Sequence, residues 1–349
     1  MDEPRASFRP ALWERLEGNT TTLLKQVWFP GTHANIGGGW RDQQIACITL
    51  AWICDQLTTL GVEFSQRLLT KIFISALRYS AAHPYPVVPS PSTFLPSWIW
   101  STMLAHQTPI PWASSPTPCP PPQPSQHRDT KDCTGKDHHP NGPYQELWTY
   151  HGRNWGLGQT RLPTNRLIRA AGTIVRRPGC FMRVDPDTNA DTKEPLINTN
   201  ERIHSSVRLR LACKGMDLDD KGPWPCASLL TDDSHESKPL WRLERGNAID
   251  PKELGRDQAF WREMSKKGYD GVSYETQKGD GEWRWTLQND GIVKNDIGEE
   301  VSPSMRILPE EPMIGYWERH LLALTRGEVD VWRLAESNSA QALSSNQMV

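Results

Sequence analysis

Thirteen prolines fall between Pro84 and Pro124, including the run Cys119-Pro120-Pro121-Pro122. Proline fixes φ and has no N–H to donate, so such a stretch admits neither a helix nor an interior strand, only polyproline II or irregular chain. That cluster divides the 349 residues into unequal parts. The sequence predicts an N-terminal unit over 1–83, a Pro-rich insertion over 84–143 with disorder from Ser114 to Gly142, a strand-rich region over 144–335, and a polar tail over 336–349. Inside the insertion, Phe94 to His106 carries Trp98, Ile99, Trp100, Met103 and Leu104 at the spacing of an amphipathic helix.

The first unit has the clearest periodicity. Leu23 to Phe29 is a short apolar run stopped by Pro30-Gly31 and reads as a buried strand. Read on its own, that strand lacks sheet neighbours and exposes an unpaired edge. Asp42 is placed to cap a helix running to Leu60, with Ala46, Leu50, Ile53 and Leu57 as its apolar stripe, widened by Ile45, Ile48 and Trp52. Gly61 then ends it. A second helix over Ser65 to His83 is expected to bury Leu68, Leu69, Ile72, Phe73, Ala76 and Leu77. In the third region, Ser206 to Cys213 alternates Val207, Leu209 and Leu211 with Arg208 and Arg210, as a strand does. Glu282 to Leu287 alternates as well, with Trp283 and Trp285 on one face. Asp257 to Lys267 and Met313 to Thr325 have helical spacing.

Composition narrows the function classes. A net charge of −2 gives no general attraction to nucleic acid or an anionic membrane. The seven cysteines have neither disulfide nor zinc spacing, and Cys119, Cys133, His138 and His139 fit no zinc template, so no metal and no cofactor is expected. Cys47 and Cys54, seven apart on a helix, read as core packing. Met1 to Pro10 lacks the apolar segment of a secretory signal, and no apolar run is long enough for a transmembrane span. The expectation is a soluble, cytoplasmic protein with reduced thiols. Sixteen tryptophans imply a Trp-anchored core or a recognition surface.

Chemistry concentrates in Val27-Trp28-Phe29-Pro30-Gly31-Thr32-His33-Ala34-Asn35-Ile36-Gly37-Gly38-Gly39-Trp40. A buried strand delivers a histidine onto a loop, and three glycines let the backbone turn into a helix. An α/β sheet presents an imidazole in this way at the carboxyl edge of its strands, where it can act as a general base. A phosphate loop is a poor fit, because Trp40-Arg41-Asp42 follows instead of Lys-Ser or Lys-Thr.

The segment resembles the Trp-Phe-Pro-Gly-x-His-x-Asp/Asn-x-Gly-Gly-Gly signature of an α/β-hydrolase family. That family includes the type VI secretion phospholipase effectors and a large fungal branch, whose pattern Ile48 to Leu57 also resembles. Trp155-Gly156-Leu157-Gly158, Arg177-Pro178-Gly179 and Asn200 to Arg208 extend the likeness. The resemblance implies an α/β fold: the C-terminal remnant of an α/β-hydrolase followed by a mixed, strand-rich accessory region. It implies a serine hydrolase acting on lipid or other ester bonds, with His33 as the triad base. Gly37, Gly38 and Gly39 would serve backbone geometry at the turn or offer N–H groups to a substrate oxyanion. His204 lies in a matching segment and reads as structural.

The chain departs from the family in two ways. In the family the nucleophile precedes the histidine, in a Gly-x-Ser-x-Gly elbow. No serine here has glycine at both −2 and +2; the nearest is Ser273 in Gly271-Val272-Ser273-Tyr274-Glu275, downstream of His33. Asn35 also stands where many relatives have Asp. The expectation is therefore a hydrolase-like chain without its catalytic front, either inactive as it stands or an incomplete version of the enzyme. The alternative is a non-catalytic binding protein that uses Trp-rich accessory surfaces.

Overall fold

The computed structural model describes residues 1–16, 19, 21–83, 153–162, 174–188, 190–231, 238–245, 283–288, 292–294, 300–301 and 303–324. Along the chain lie β1 (Gln26–Trp28), α1 (His33–Ile36), α2 (Gln44–Thr58), α3 (Gln66–Ala82), β2 (Met182–Val184), β3 (Asp191–Pro195), β4 (Glu201–His204) and α4 (Ser205–Ala212). Then follow β5 (Trp241–Arg245), β6 (Trp283–Leu287), β7 (Val293–Lys294), β8 (Glu300–Val301), β9 (Ile307–Glu311) and α5 (Tyr316–Ala323).

Five strands form one sheet in the order β1-β4-β9-β6-β5. The β1–β4 and β4–β9 pairs are parallel, whereas β9–β6 and β6–β5 are antiparallel. β2–β3 and β7–β8 are separate hairpins. The fold is thus a mixed α/β arrangement with a three-strand parallel half. The apolar run after Leu23 yields a strand of only three residues, and that strand is not isolated. Its partner β4 comes from the far side of the Pro-rich segment.

Strand side chains alternate between sheet faces, so neighbours Trp28 and Phe29 feed different cores. Phe29 joins Ile48, Ala51, Phe73, Trp155, Leu209, Trp317 and Leu321 beneath α2, α3 and α5. Trp28 joins Phe181, Ile203, Val207, Trp241, Trp285 and Leu308 on the other side. Trp283 and Trp285 share one buried face of β6, as their spacing predicts. Cys47 and Cys54 are buried free thiols in the first core.

Three elements differ from the sequence expectation. Residues 205–212 form helix α4, not a strand. Alternating arginines suggest a wet face, yet Arg208 and Arg210 are both buried. Arg208 grips Glu310 with Nε and Nη2 at 2.8 and 2.9 Å, and Arg210 donates to the Gly158 carbonyl at 2.9 Å. On α2 the buried side is Ile45, Ile48, Ala51 and Cys54 with Cys47, while Ile53 of the expected stripe is 40% exposed. On α3, Leu68 and Ile72 face outward at 55% and 46% exposure, and Leu69, Phe73, Ala76 and Leu77 face in. A helix packed against two neighbours has a buried arc that periodicity alone cannot orient. The segments 94–106, 114–142 and 257–267, and the residues Cys119, Cys133, His138 and His139, lie outside the described residues. The helix expected from Met313 is α5, shorter at both ends.

One buried carboxylate fastens α5 to α2. Asp55 accepts the main-chain N–H groups of Trp317 at 2.8 Å and Glu318 at 3.1 Å, satisfying donors that the first turn of α5 leaves open. A Cβ at Gly315 would lie 2.0 Å from Asp55 Oδ2. Asp55→Ala leaves two buried donors without acceptors and is expected to cost about 2–4 kcal/mol. Gly315→Ala is expected to be destabilising too, because the carboxylate has to be displaced. Urea unfolding checks both, and a midpoint unchanged from wild type would refute the fastening role.

Candidate functional site

The carboxyl ends of β1, β4 and β9 lie along one edge of the sheet, because these strands run parallel. Beyond β1 the chain enters Pro30-Gly31-Thr32 and the single-turn helix α1, with His33 at its first position. Gly31 has φ +98°, and a Cβ there would lie 2.7 Å from Asn35 Cβ, so glycine is required.

Asn35 is the buried anchor of this loop. Its Oδ1 accepts the Thr32 N–H at 3.1 Å, the Arg161 N–H at 3.3 Å and the Thr32 hydroxyl at 2.8 Å. Its Nδ2 donates to the Gln159 carbonyl at 3.1 Å. The His33 loop is thereby tied to residues 159–161, just after the Trp155-Gly156-Leu157-Gly158 segment. Of the three glycines, Gly37 donates its N–H to the His33 carbonyl at 2.9 Å and so closes the turn. Gly38 and Gly39 adopt φ +81° and +134°, and their N–H groups make no hydrogen bond among the described residues.

The imidazole of His33 is exposed and makes no hydrogen bond among the described residues. Its neighbour is Phe8, with ring centroids 5.1 Å apart and planes at 70°. Phe8 ends a short 3-10 turn, Ala6–Phe8, in an N-terminal strap laid across the carboxyl end of β1. The strap is held by the Met1 nitrogen on the Phe29 carbonyl at 2.8 Å and by Asp2 N–H on the Gly31 carbonyl at 3.0 Å. Trp224 Nε1 donates to Asp2 Oδ1 at 2.9 Å. The buried Glu3 accepts the main-chain N–H of His33 at 3.0 Å and binds Arg5 with both oxygens, at 2.6 and 2.8 Å. Burial pushes the Glu3 carboxyl up, but the hydrogen bonds from Arg5 and from the His33 main chain outweigh it and hold the group below the usual carboxylate range.

A second histidine at the same edge is sealed. His204 ends β4, caps α4 and stacks on Phe29 with centroids 4.4 Å apart. Its Nδ1 accepts the Ser206 N–H at 3.1 Å and lies 2.8 Å from the Ser206 hydroxyl. The remaining ring proton therefore sits on Nε2, 3.1 Å from Glu318 Oε1. Glu318 Oε2 accepts the Gly315 N–H at 3.0 Å. This serine, histidine and carboxylate have the composition of a triad but not its geometry. The serine lies on Nδ1 and the carboxylate on Nε2, the reverse of a triad, and His204 and Ser206 are 0% exposed, so no substrate reaches them. His204 is structural, as its place in the sequence suggests. Desolvation lowers its pKa to about 4 and raises that of Glu318 to about 8.

No serine hydroxyl or carboxylate is hydrogen-bonded to the His33 imidazole among the described residues. No group of three or more His, Cys, Asp or Glu side chains there is arranged to hold a metal. No helix among them is long and apolar enough to cross a membrane. His33 and the glycines are marked in the sequence by their motif, whereas the strap is not. Glu3, Arg5 and Phe8 have no motif spacing relative to His33, and only folding brings them to it. Of the ten described tryptophans, seven are buried; Trp13, at 71% exposure, is the one fully on the surface.

Residues 1–56 match the family model of the type VI secretion system phospholipase effector Tle1-like catalytic domain. The match covers the strap, β1, the His33 loop and most of α2. No curated protein and no solved structure matches the chain.

Two outcomes follow from this geometry. Asn35→Asp replaces the donor facing the Gln159 carbonyl with an acceptor and is expected to lower stability by about 1–3 kcal/mol, read from chemical denaturation. The second concerns pH. Between about pH 4.5 and 6.5 the folded state keeps one proton on Glu318, and the unfolded chain keeps one on the imidazole. Proton counts match, so this pair gives no slope. From pH 6.5 to about 8 only the folded state retains this pair's proton, so the pair's contribution to stability falls as pH rises, by on the order of 1–2 kcal/mol, against the opposite trend of the buried Met1 amino group, whose pKa burial lowers. Glu318→Gln should remove that contribution and make the pH dependence between 6.5 and 8 more positive whatever its absolute cost, and an unchanged pH dependence would rule the pair out as a contributor.

Proposed function

We propose that this chain is a lipase- or phospholipase-like module of the serine-hydrolase type, directed at lipid or other ester bonds, in which His33 is the base. As it stands it does not turn substrate over. The observation that carries this reading is the placement of His33: an exposed imidazole just past the carboxyl end of a parallel strand, inside the segment that the phospholipase-effector family model matches. A base in that position can draw a proton from a hydroxyl nucleophile brought to it. The unbonded N–H groups of Gly38 and Gly39 are suited to a developing oxyanion nearby, whereas that of Gly37 is already used. The absence of any Gly-x-Ser-x-Gly in the sequence supports the lack of turnover, since base and donors supply little rate without a nucleophile. The fungal affiliation and the correspondence to the carboxyl-terminal part of the fold belong to the same reading.

The non-catalytic alternative draws on the same missing nucleophile, and Trp13 is the described tryptophan available to a partner. Hydrolysis of p-nitrophenyl butyrate and of a short-chain phosphatidylcholine should be indistinguishable between the wild type and His33→Ala. Hydrolysis above background that disappears in the variant would show the chain to be an active enzyme. A non-hydrolysable ether phospholipid should shift the ring resonances of His33 in NMR spectra. If those resonances stay fixed through saturating lipid, the ester-directed reading gives way to the binding protein.

A further inference from the structure

We propose that Glu3 and Phe8 are positioning residues for His33, holding its imidazole in one orientation through a circuit of four residues that closes on the His33 main chain. The inference rests on the reading of His33 as a base, because orientation matters only if the ring has a proton to take.

A general base works only when its ring is held in a productive geometry, and that hold normally comes from a hydrogen bond to one ring nitrogen. His33 has none among the described residues, and an exposed side chain without such a tether samples its staggered rotamers. Here the constraint is a ring contact instead. Phe8 meets the imidazole edge-on, but at 37% exposure Phe8 also needs holding. The Arg5 guanidinium lies over the Phe8 ring, with Cζ 3.5 Å from its centroid. Arg5 in turn is gripped by Glu3 through Nε and Nη2, the two-pronged geometry that leaves a guanidinium least freedom.

The circuit closes where it began, because Glu3 Oε2 also accepts the main-chain N–H of His33 at 3.0 Å. The strap backbone is clamped independently: Arg176 donates from Nε to the Glu3 carbonyl at 3.2 Å and from Nη2 to the Arg5 carbonyl, and Ile174 N–H reaches the Pro4 carbonyl at 3.0 Å. Glu3 and Arg5 neutralise each other, so the pair leaves no net charge beside the ring. The effect on His33 is geometric.

The test is the χ1 rotamer population of His33, read by NMR from three-bond couplings across Cα–Cβ. Phe8→Leu and Glu3→Gln should each lower the population of the dominant rotamer from near one towards about one third, the value for three equal staggered wells. Phe8→Tyr, which keeps the ring, should match the wild type. A merely structural role would move the melting temperature of the variants without this pattern. Wild-type populations in both Phe8→Leu and Glu3→Gln would overturn the proposal. Should a variant fail to fold, the wild type alone decides. Its His33 ring should give nuclear Overhauser contacts to Phe8 and a single rotamer, and their absence would overturn the proposal equally. Neither measurement needs turnover, so a failed esterase assay and a failed positioning role are separate results.

Discussion

The parallel pairing of β1 with β4 and of β4 with β9 is the constraint on which the rest of the molecule depends. Parallel strands bring every carboxyl end to one edge, so each departing loop must find its partners in the same narrow zone. Polar groups crowd there as a consequence. Glu311, at the end of β9, takes Lys25 Nζ at 2.8 Å from the approach to β1 and Trp52 Nε1 at 3.1 Å from α2. Its other oxygen receives Arg202 of β4 at 3.3 Å. The preceding Glu310 holds Arg208 of α4. Two adjacent carboxylates thus connect strands that lie far apart in sequence, and buried charges of this kind are tolerable only because each has its partner.

The same edge separates the fates of two histidines. His204 lies at the end of the middle parallel strand, covered from both sides, and burial makes its ring a neutral cap with both nitrogens engaged. His33 follows the outermost strand, where no further strand is paired among the described residues, and its ring faces outward. Position in the sheet therefore distinguishes a histidine sealed in the interior from one whose ring is open to solvent.

The His33 loop was readable from sequence because its requirements are local. Pro30-Gly31 stops a strand, and glycines supply backbone angles that other residues avoid. The β6 tryptophans were readable for a similar reason, since their two-residue spacing needs no knowledge of what covers them. Helix α4 was not readable, because its arginines satisfy their charges inside the protein. Arg208 reaches Glu310 a hundred residues away, and no local pattern announces that partner. Circuits such as Glu3–Arg5–Phe8–His33, and the link from Asp55 to α5, are equally invisible, because they depend on loop closures that periodicity does not encode.

Asn35 shows how such nonlocal bonds bear on the chemistry. A carboxylate at this position could still accept from Thr32 and Arg161, but it would face the Gln159 carbonyl with nothing to donate. The carboxamide satisfies both sides, so the loop that presents His33 is closed by a neutral group with no hydrogen-bonding capacity directed at the ring. Whatever orients the imidazole must then come from elsewhere. The side chain in ring contact with it is Phe8, carried by the strap that Glu3 and Arg176 pin down. The hydrogen bonds of Asn35 and the ring contact at Phe8 are two sides of one arrangement, in which stability of the loop and orientation of the His33 ring are assigned to different residues.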